Sequence, residues 1–207
     1  MFIEFIDQLR CTRDHEESWL VAAFLRREDR FILDATLGCH ICLRQYAVRD
    51  GVAYFGLEPA NEANEGTRLA PDEDMAMRAA AFLGAAERTT LVLGGSWGAQ
   101  AHGVATLVPL RVFAFNPSGK VDDSEQVAVI RSSEGIPLSA GSVDGVALDS
   151  ATATPEVLRT ALTVLRPGGR LVAPALIAVP PEVTVLARDD SYWVGETSKP
   201  FIPLRRA

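Results

Sequence analysis

Five short apolar segments, separated by helical or turn segments, lie between residues 89 and 177, and this alternation constrains the fold more than any other feature. The apolar segments are residues 89–93, 111–115, 126–131, 143–148 and 171–177. Helical patterns lie at 100–107 and after Thr154-Pro155, which form a cap with a first-turn proline. Strands that alternate with helices predict a largely parallel sheet covered on both faces. Residues 182–188 and 192–197 predict an antiparallel hairpin at the end of it.

The chain before this alternation has a different pattern. Residues 2–9 have the apolar spacing of a short amphipathic helix. The apolar runs 19–25 and 31–37 predict a hairpin, although the first run is also compatible with a helix. Residues 46–54 predict a second hairpin that turns at Asp50-Gly51.

Residues 57–72 contain two prolines, one glycine and few large apolar residues, which is typical of a linker. Asp72 or Asp74 then predicts the cap of a helix that runs to about residue 86. We therefore divide the chain into a small domain at 1–56, a linker at 57–72 and an α/β domain at 73–207.

Composition narrows the class of protein. The 207 residues carry a net charge of −7 and are 48% hydrophobic, which is ordinary for a folded globular chain. An acidic chain binds nucleic acid or anionic membranes poorly by itself, because phosphate contacts need clustered cations. No apolar stretch reaches the ~20 residues that a membrane helix needs, and the first residues do not form a signal peptide. We expect a soluble cytoplasmic protein whose partner is another protein or a small-molecule substrate.

The three cysteines predict a metal site. Cys39 and Cys42 form a C-x-x-C pair, which in a reducing compartment indicates metal or redox chemistry rather than a disulfide. Cys11 supplies a third soft ligand, and tetrahedral zinc needs a fourth. The candidates for the fourth ligand are, in order, His15, Asp14 and His40, whose side chain inside the C-x-x-C turn should point outward. Three buried free cysteines beside an exposed histidine are the alternative interpretation.

The first 56 residues resemble the short zinc-ribbon family whose members partner and activate methyltransferases of tRNA, rRNA and translation factors. The positions that fit the family pattern are Leu9, Cys11, Leu37, Cys39, Cys42, Tyr46, Arg49, Asp50 and Gly51. Thr12 replaces the family's proline, and no second cysteine lies near Asp14. The resemblance implies a closed zinc site with a structural role.

Residues 73–197 resemble the class I S-adenosylmethionine-dependent methyltransferases. The segments that carry this resemblance are IPLSAGSVDGVALD at 136–149 and LTVLRPGGRLV at 162–172. The resemblance implies a Rossmann-like sheet of methyltransferase type, mostly parallel and ending in the antiparallel hairpin. It also implies S-adenosylmethionine as the cofactor.

The same resemblance places the cofactor contacts and shows that several are replaced. The positions concerned are Gly94, Gly95, Ser96, Gly98, Asn116, Ser132 and Asp149, the last near the transferred methyl group if the protein is active. Ser96 replaces the middle glycine of the loop, Asn116 the carboxylate that holds the ribose, and Ser132 an acid that contacts the adenine. These replacements predict a degenerate cofactor site in a methyltransferase-like pseudoenzyme. Weak methyltransfer and a non-catalytic binding or scaffold role both remain open, and no catalytic residue is assigned.

Residues 94–98, GGSWG, also match the G-x-S-x-G nucleophile elbow of α/β-hydrolases. That mechanism needs an acid and then a histidine after the serine, but the last histidine is His102, only six residues beyond Ser96. Because a serine without a base is a poor nucleophile, a hydrolase is a remote alternative. We interpret Ser96 as a turn residue and Trp97 as a packing residue.

Overall fold

The computed structural model describes residues 1–59, 67 and 69–198. Its strands are β1 (Leu20–Glu28), β2 (Phe31–Cys39), β3 (Gln45–Arg49), β4 (Val52–Phe55), β5 (Thr90–Gly94), β6 (Arg111–Phe115), β7 (Val127–Ser132), β8 (Val143–Ala147), β9 (Leu165–Pro174), β10 (Val183–Arg188) and β11 (Tyr192–Thr197). Its α-helices are α1 (Glu73–Leu83), α2 (Ala101–Leu107) and α3 (Pro155–Val164), and short 3-10 helices span Ile3–Gln8 and Gly98–Gln100. The linker expected at 57–72 lies partly outside the described residues.

All these strands form one sheet, in the order β1-β2-β3-β4-β7-β6-β5-β8-β9-β11-β10. The pairs from β4 to β9 are parallel, whereas β1 to β4 form an antiparallel meander, and β11 pairs antiparallel with both β9 and β10. Strands β5 to β9 have the order β7-β6-β5-β8-β9, which is the 3-2-1-4-5 order of Rossmann-type sheets. The predicted fold class, a Rossmann-like sheet of methyltransferase type with a C-terminal antiparallel hairpin, is confirmed.

Strand β4 joins the N-terminal hairpins to the α/β part through its parallel pairing with β7, from Val52↔Val129 to Phe55↔Ser132. The first residues contribute to the same core, since Phe5 is fully buried with its ring 5.0 Å from that of Phe113. The division of the chain into a small domain at 1–56 and an α/β domain from residue 73 stays a prediction. The sheet itself is continuous between these two parts.

Apolar side chains pack on both faces of the sheet. The 3-10 helix Ile3–Gln8 and the buried side of α3 cover one face, while α1 and α2 cover the other. Asp72 caps α1 by accepting the backbone N–H of Met75, and Gly84 ends it in the left-handed conformation. Thr154 caps α3, with Pro155 in its first turn, as expected.

Three local expectations differ from the structure. Residues 2–9 form a 3-10 helix over Ile3–Gln8 rather than an α-helix. The run 19–25 belongs to a strand, so the helical alternative is wrong. Helix α3 ends at Val164, before the Pro-Gly-Gly stop, because Leu165 already pairs with Val143 and opens strand β9.

Candidate functional site

The N-terminal part of the chain brings four potential metal ligands together. Cys39 is the last residue of β2, Cys42 follows the turn after it, and Cys11 and His15 lie in the segment that leaves the 3-10 helix. One ligand atom from each of these four side chains lies within 4.8 Å of the others. The structure thus groups the residues that the sequence singled out, with His15 in the fourth position.

The spacing of these atoms fits a tetrahedral ion. Cys11 Sγ lies 3.6 Å from Cys42 Sγ and 3.2 Å from His15 Nε2, and Cys39 Sγ lies 3.5 Å from His15 Nε2. Tetrahedral zinc, with bonds of about 2.3 Å to sulfur and 2.0–2.1 Å to nitrogen, would separate two sulfurs by about 3.8 Å and sulfur from nitrogen by about 3.5 Å. The donor set and its dimensions therefore suit zinc.

The histidine is oriented by a backbone carbonyl. His15 Nδ1 lies 2.6 Å from the carbonyl oxygen of Glu16, which can only accept, so Nδ1 carries the proton and Nε2 is free to bind a metal. His40 instead places its Nδ1 3.3 Å from Ser18 Oγ, and its ring lies 6.1 Å from that of Trp19. Asp14 is exposed and lies outside the cluster.

The surroundings of Cys39 favour a thiolate. Burial by itself raises the pKa of this thiol, but hydrogen bonds with the backbone N–H groups of Cys42 and Ile41 and with the side chains of Ser18 and Cys42 together lower the pKa of Cys39 to about 6. Burial raises the pKa of Cys11, against the opposing effect of the Tyr46 hydroxyl. A metal ion would hold both sulfurs as thiolates, since the thiolate is the form that binds metal.

A hydrogen-bond network connects the cluster to the α/β part, and the sequence did not reveal it. The Tyr46 hydroxyl lies 3.3 Å from Cys11 Sγ and 2.9 Å from Thr12 Oγ1, which donates to Glu134 just beyond β7. Arg44 also pairs with Glu134, at 3.0 Å. Burial, reinforced by the hydrogen bond to Cys11, raises the pKa of Tyr46 to about 12, so the phenol stays protonated. In the sequence, the threonine at position 12, where the family has a proline, was the residue that could have pointed to this network.

A cavity of about 540 Å³ lies beside the Cys/His cluster, against α3. Its charged lining residues are Arg10, Arg13, Asp14, His15, Glu17, Glu134 and Arg159. Two of these arginines are paired with acids, Arg10 with Glu17 and Arg159 with Glu156. The mixed and partly neutralised charge indicates no particular class of ligand.

The second candidate site lies where the strand order reverses, between β5 and β8, which is where open α/β sheets bind ligands. The glycine loop follows β5: Gly94 ends the strand, and Gly95 has a φ of +59°. Asp149 follows β8 and faces this loop. The structure therefore brings the loop and Asp149 together; their role as cofactor contacts stays a prediction.

The carboxylate of Asp149 fills the space over the glycine loop. One oxygen accepts the backbone N–H of Ser96 at 2.7 Å, and the other accepts the backbone N–H and the hydroxyl of Thr152 at 3.0 and 2.8 Å. The Asp149 side chain is only 8% exposed. A Cβ on Gly95 would overlap this carboxylate, so the absence of a side chain at Gly95 serves the protein's own aspartate.

Asn116 and Ser132 pair with each other at the ends of β6 and β7. The Asn116 side chain donates Nδ2–H to the carbonyl of Ser132 and accepts its backbone N–H, both at 2.8 Å. Asn116 has a φ of +43°, a left-handed conformation that asparagine tolerates better than most residues. The Ser132 hydroxyl in turn accepts the N–H of Glu134 at 3.0 Å. The two polar groups expected on the ribose and the adenine are thus occupied within the chain.

The serine of GGSWG has no histidine partner among the described residues. His102 lies on α2 and places its Nε2 2.9 Å from the carbonyl oxygen of Asp122. Trp97 is buried, with its ring 5.1 Å from that of Tyr192 and 6.4 Å from that of Phe82. A Cβ on Gly98 would meet the carbonyl of Leu93, so this glycine allows a close backbone approach.

The sequence matches no protein-family model and no curated protein sequence. Solved structures give distant likenesses. An S-adenosyl-L-methionine-dependent methyltransferase of Methanococcus maripaludis is 11% identical with a TM-score of 0.42, over 64% of this chain and 86% of the other. A chain of the complex between the Haloferax volcanii Trm112 methyltransferase activator and a methyltransferase is 14% identical with a TM-score of 0.46, over 62% and 90%. TrmN of Thermus thermophilus is 18% identical with a TM-score of 0.44, over 60% and 48%.

In the part of the chain that the structure describes, no helix is both long and apolar enough to cross a bilayer. The strand order, the position of the glycine loop and the antiparallel insertion of β11 define the architecture of the α/β part. This part of the chain has a class I methyltransferase-like fold.

Proposed function

We propose that the protein is a non-catalytic binding protein of methyltransferase fold, with one structural zinc ion and a degenerate site for S-adenosylmethionine. The observation that carries the proposal is the Asp149 carboxylate, which takes the N–H of Ser96 in the glycine loop. In sheets of this type the loop after the first strand approaches the cofactor with its backbone. The Asp149 carboxylate lies beside Gly95 and takes the Ser96 N–H, and this supports a site that the protein itself closes.

Cofactor binding would have to displace this carboxylate. A hydrogen bond to a charged acceptor contributes about 1.5–3 kcal/mol, and losing the one from Ser96 would weaken binding by roughly 10- to 100-fold. Asn116 would also have to release Ser132 before it could reach a ribose hydroxyl. As a neutral amide, it would then form weaker hydrogen bonds than the carboxylate it replaces. For an intact site with a dissociation constant of about 10 µM, a loss of about 100-fold gives a dissociation constant near about 1 mM.

The zinc site supports a structural role. Cys11, His15, Cys39 and Cys42 provide four ligands of the type that closed zinc sites use, with no open position for a substrate. The ion would fix residues 11–15 against the end of β2. Because Tyr46 and Thr12 extend this unit to Glu134, it would also support the turn after β7.

We infer that the partner is a protein, in the cytoplasm, rather than a small-molecule substrate. The zinc-ribbon resemblance of residues 1–56 implies a family that works by binding other proteins. Reduced cysteines, which a zinc site needs, suit the same compartment. Weak methyltransferase activity is the second candidate function. The hydrogen bonds that Asn116 and Asp149 already form within the chain argue against it.

Calorimetric titration with S-adenosylmethionine and S-adenosylhomocysteine tests the proposal. We expect no saturation below about 1 mM. Asp149→Ala should bind more tightly than the wild type, because it removes the group that occupies the loop, while Asp190→Ala in an exposed turn should behave as the wild type. A wild-type dissociation constant in the low micromolar range would overturn the proposal and make methyltransfer the leading function.

A further inference from the structure

The three cysteines of the Cys/His cluster differ in their access to solvent. Cys42 is exposed and Cys11 is half-buried, whereas Cys39 is only 2% exposed. A metal-bound sulfur is held as a thiolate, which is also the nucleophilic form of cysteine. Because oxidation of a cysteine depends on its thiolate character and on its exposure, a dissolved oxidant should react at Cys42 first.

The sulfur that can complete a disulfide with Cys42 is that of Cys11. The two Sγ atoms lie 3.6 Å apart, although the residues are 31 positions apart in the chain. Hydrogen bonds that involve no metal hold both backbones: the Cys11 N–H donates to the Ser18 carbonyl at 3.0 Å, and the Leu43 N–H donates to the Cys39 carbonyl at 3.0 Å. The fold itself therefore brings these two sulfurs close to the separation of a disulfide, which is about 2.05 Å.

Cys39 is the less suitable partner, although it belongs to the same C-x-x-C turn. Its buried sulfur lies 3.7 Å from Ser18 Oγ and 3.5 Å from His15 Nε2. A bond from Cys39 to Cys42 would link two ends of a turn that the backbone already closes. A bond from Cys11 to Cys42 instead joins the segment at 11–15 to the turn after β2, and this is the link that a zinc ion would provide.

We propose that Cys11 and Cys42 form a reversible oxidation site, at which a peroxide replaces the zinc ion by a disulfide. The inference rests on the structural zinc ion of the proposed function. After the two sulfurs have formed a disulfide, only Cys39 and His15 remain as ligands, and two ligands are too few to retain structural zinc. Disulfides of this kind, in a reducing compartment, are transient and report the redox state.

The oxidation takes place in two steps. The Cys42 thiolate attacks one oxygen of hydrogen peroxide and becomes a sulfenic acid, while the O–O bond breaks and hydroxide leaves. The Cys11 thiolate then attacks the sulfur of Cys42, forms the S–S bond and expels a second hydroxide. The two sulfurs together give up two electrons, and the two hydroxides take up two protons, so that one peroxide becomes two water molecules.

The disulfide should protect the fold when zinc is lost. It closes a loop of about 30 residues and so restricts the unfolded chain, by an amount that raises the melting temperature of a chain of this size by roughly 7–15 °C. The oxidised protein should therefore melt above the reduced protein from which zinc has been removed with a chelator. Dithiothreitol with added zinc should return the oxidised protein to its original state.

A small molar excess of hydrogen peroxide, added to the full chain as purified, tests the site. A colorimetric chelator should report one zinc ion released for each disulfide formed. Trypsin separates Cys11, in the peptide 11–13, from both other cysteines, in the peptide 31–44. The non-reduced digest should contain these two peptides joined together, and fragmentation in the mass spectrometer should place the bond at Cys42.

Substitution by histidine removes one thiol and keeps a side chain that can bind zinc. Cys42→His should release zinc in peroxide at least about tenfold more slowly than the wild type, because the exposed sulfur is gone. Cys39→His keeps both proposed sulfurs and should still form the disulfide between Cys11 and Cys42. Ile41→Ala, an exposed neighbour outside the ligand set, is the control and should release zinc as the wild type does.

Zinc that stays bound in peroxide would refute the proposal. So would zinc release that is accompanied by a bond between Cys39 and Cys42, or by sulfinic acid in place of a disulfide. The peptide map of the wild type decides this without depending on the folding of any variant. A chain purified without zinc would refute the structural zinc ion instead, and the peptide map of that chain would still decide whether Cys11 pairs with Cys42.

Discussion

Replacement of Gly95 by alanine should destabilise the protein much more than the same replacement at Gly141. Both glycines have left-handed backbones, with φ of +59° and +62°, which costs an L-residue about 1–2 kcal/mol. A Cβ at Gly141 would meet nothing within 4 Å, whereas a Cβ at Gly95 would overlap the carboxylate of Asp149. Gly141→Ala therefore measures the backbone cost alone.

The additional cost at Gly95 follows from the hydrogen bonds that Asp149 would lose. Moving the carboxylate away from the new methyl group breaks at least its bond from the Ser96 N–H, which contributes about 1.5–3 kcal/mol as a charged hydrogen bond. With the backbone cost, Gly95→Ala should lower the free energy of unfolding by about 3–5 kcal/mol. In a chain of this length that corresponds to a melting temperature lowered by about 6–20 °C.

Urea denaturation followed by circular dichroism measures both variants, and a double-mutant cycle with Asp149→Ala isolates the contact. In the Asp149→Ala background there is no carboxylate to displace. Gly95→Ala should then cost about as much as Gly141→Ala. If Gly95→Ala lowers the free energy of unfolding by the same amount with and without the Asp149 carboxylate, the glycine is not needed to leave room for this carboxylate. The interpretation of the closed loop then fails.

Three further predictions concern the metal, Asn116 and Ser96. Protein purified without added zinc should contain one zinc per chain. Chelation should unfold at least the first ~56 residues, since structural zinc contributes on the order of 10 kcal/mol of apparent folding free energy. Substoichiometric metal, with cysteines that are not protected from alkylation, would contradict this. Asn116→Asp should destabilise the protein by about 1–3 kcal/mol at neutral pH, because a carboxylate would face the Ser132 carbonyl. This interaction raises the pKa of the new carboxyl in the folded state above its unfolded value. The loss in free energy of unfolding relative to the wild type should therefore shrink as the pH falls from about 7 to about 4. Urea titrations that show a constant loss over this pH range would refute the prediction. A fluorophosphonate probe should not label Ser96; labelling that Ser96→Ala abolishes would revive the hydrolase alternative.

Local periodicity was sufficient to predict most of the strands. The segment expected at 111–115 is β6, and the segment expected at 126–131 is β7, displaced by one residue. The parallel pairing of β4 with β7 was not predictable, because it joins residues more than 70 positions apart and no local pattern specifies a sheet neighbour. The start of β9 at Leu165 was missed for a similar reason: its pairing with Val143 overrides the proline and glycines that follow.

The two candidate sites differ in how much the sequence could reveal. A metal-binding site is recognised by the types of its ligands and their spacing in the sequence, so Cys11, Cys39 and Cys42 could be grouped from the sequence alone. Whether the glycine loop is free for a cofactor depends instead on the direction of one side chain, that of Asp149. Asp149 was expected near a transferred methyl group, and the structure directs its carboxylate to the N–H of Ser96. Asn116 similarly turns to Ser132, a choice that its left-handed φ permits and the residue type alone does not determine.

The closed loop also follows from a requirement on the backbone. The N–H groups of Ser96 and Thr152 lie where the strand order reverses, and buried donors left unpaired cost about 1–3 kcal/mol each. A cofactor that fills this position would satisfy such donors, and a chain without one must supply its own acceptor. Asp149 accepts from both groups. Stability of the free protein and affinity for a cofactor therefore compete for the same donors, so a substitution that opens the loop to a ligand should also make the empty protein less stable.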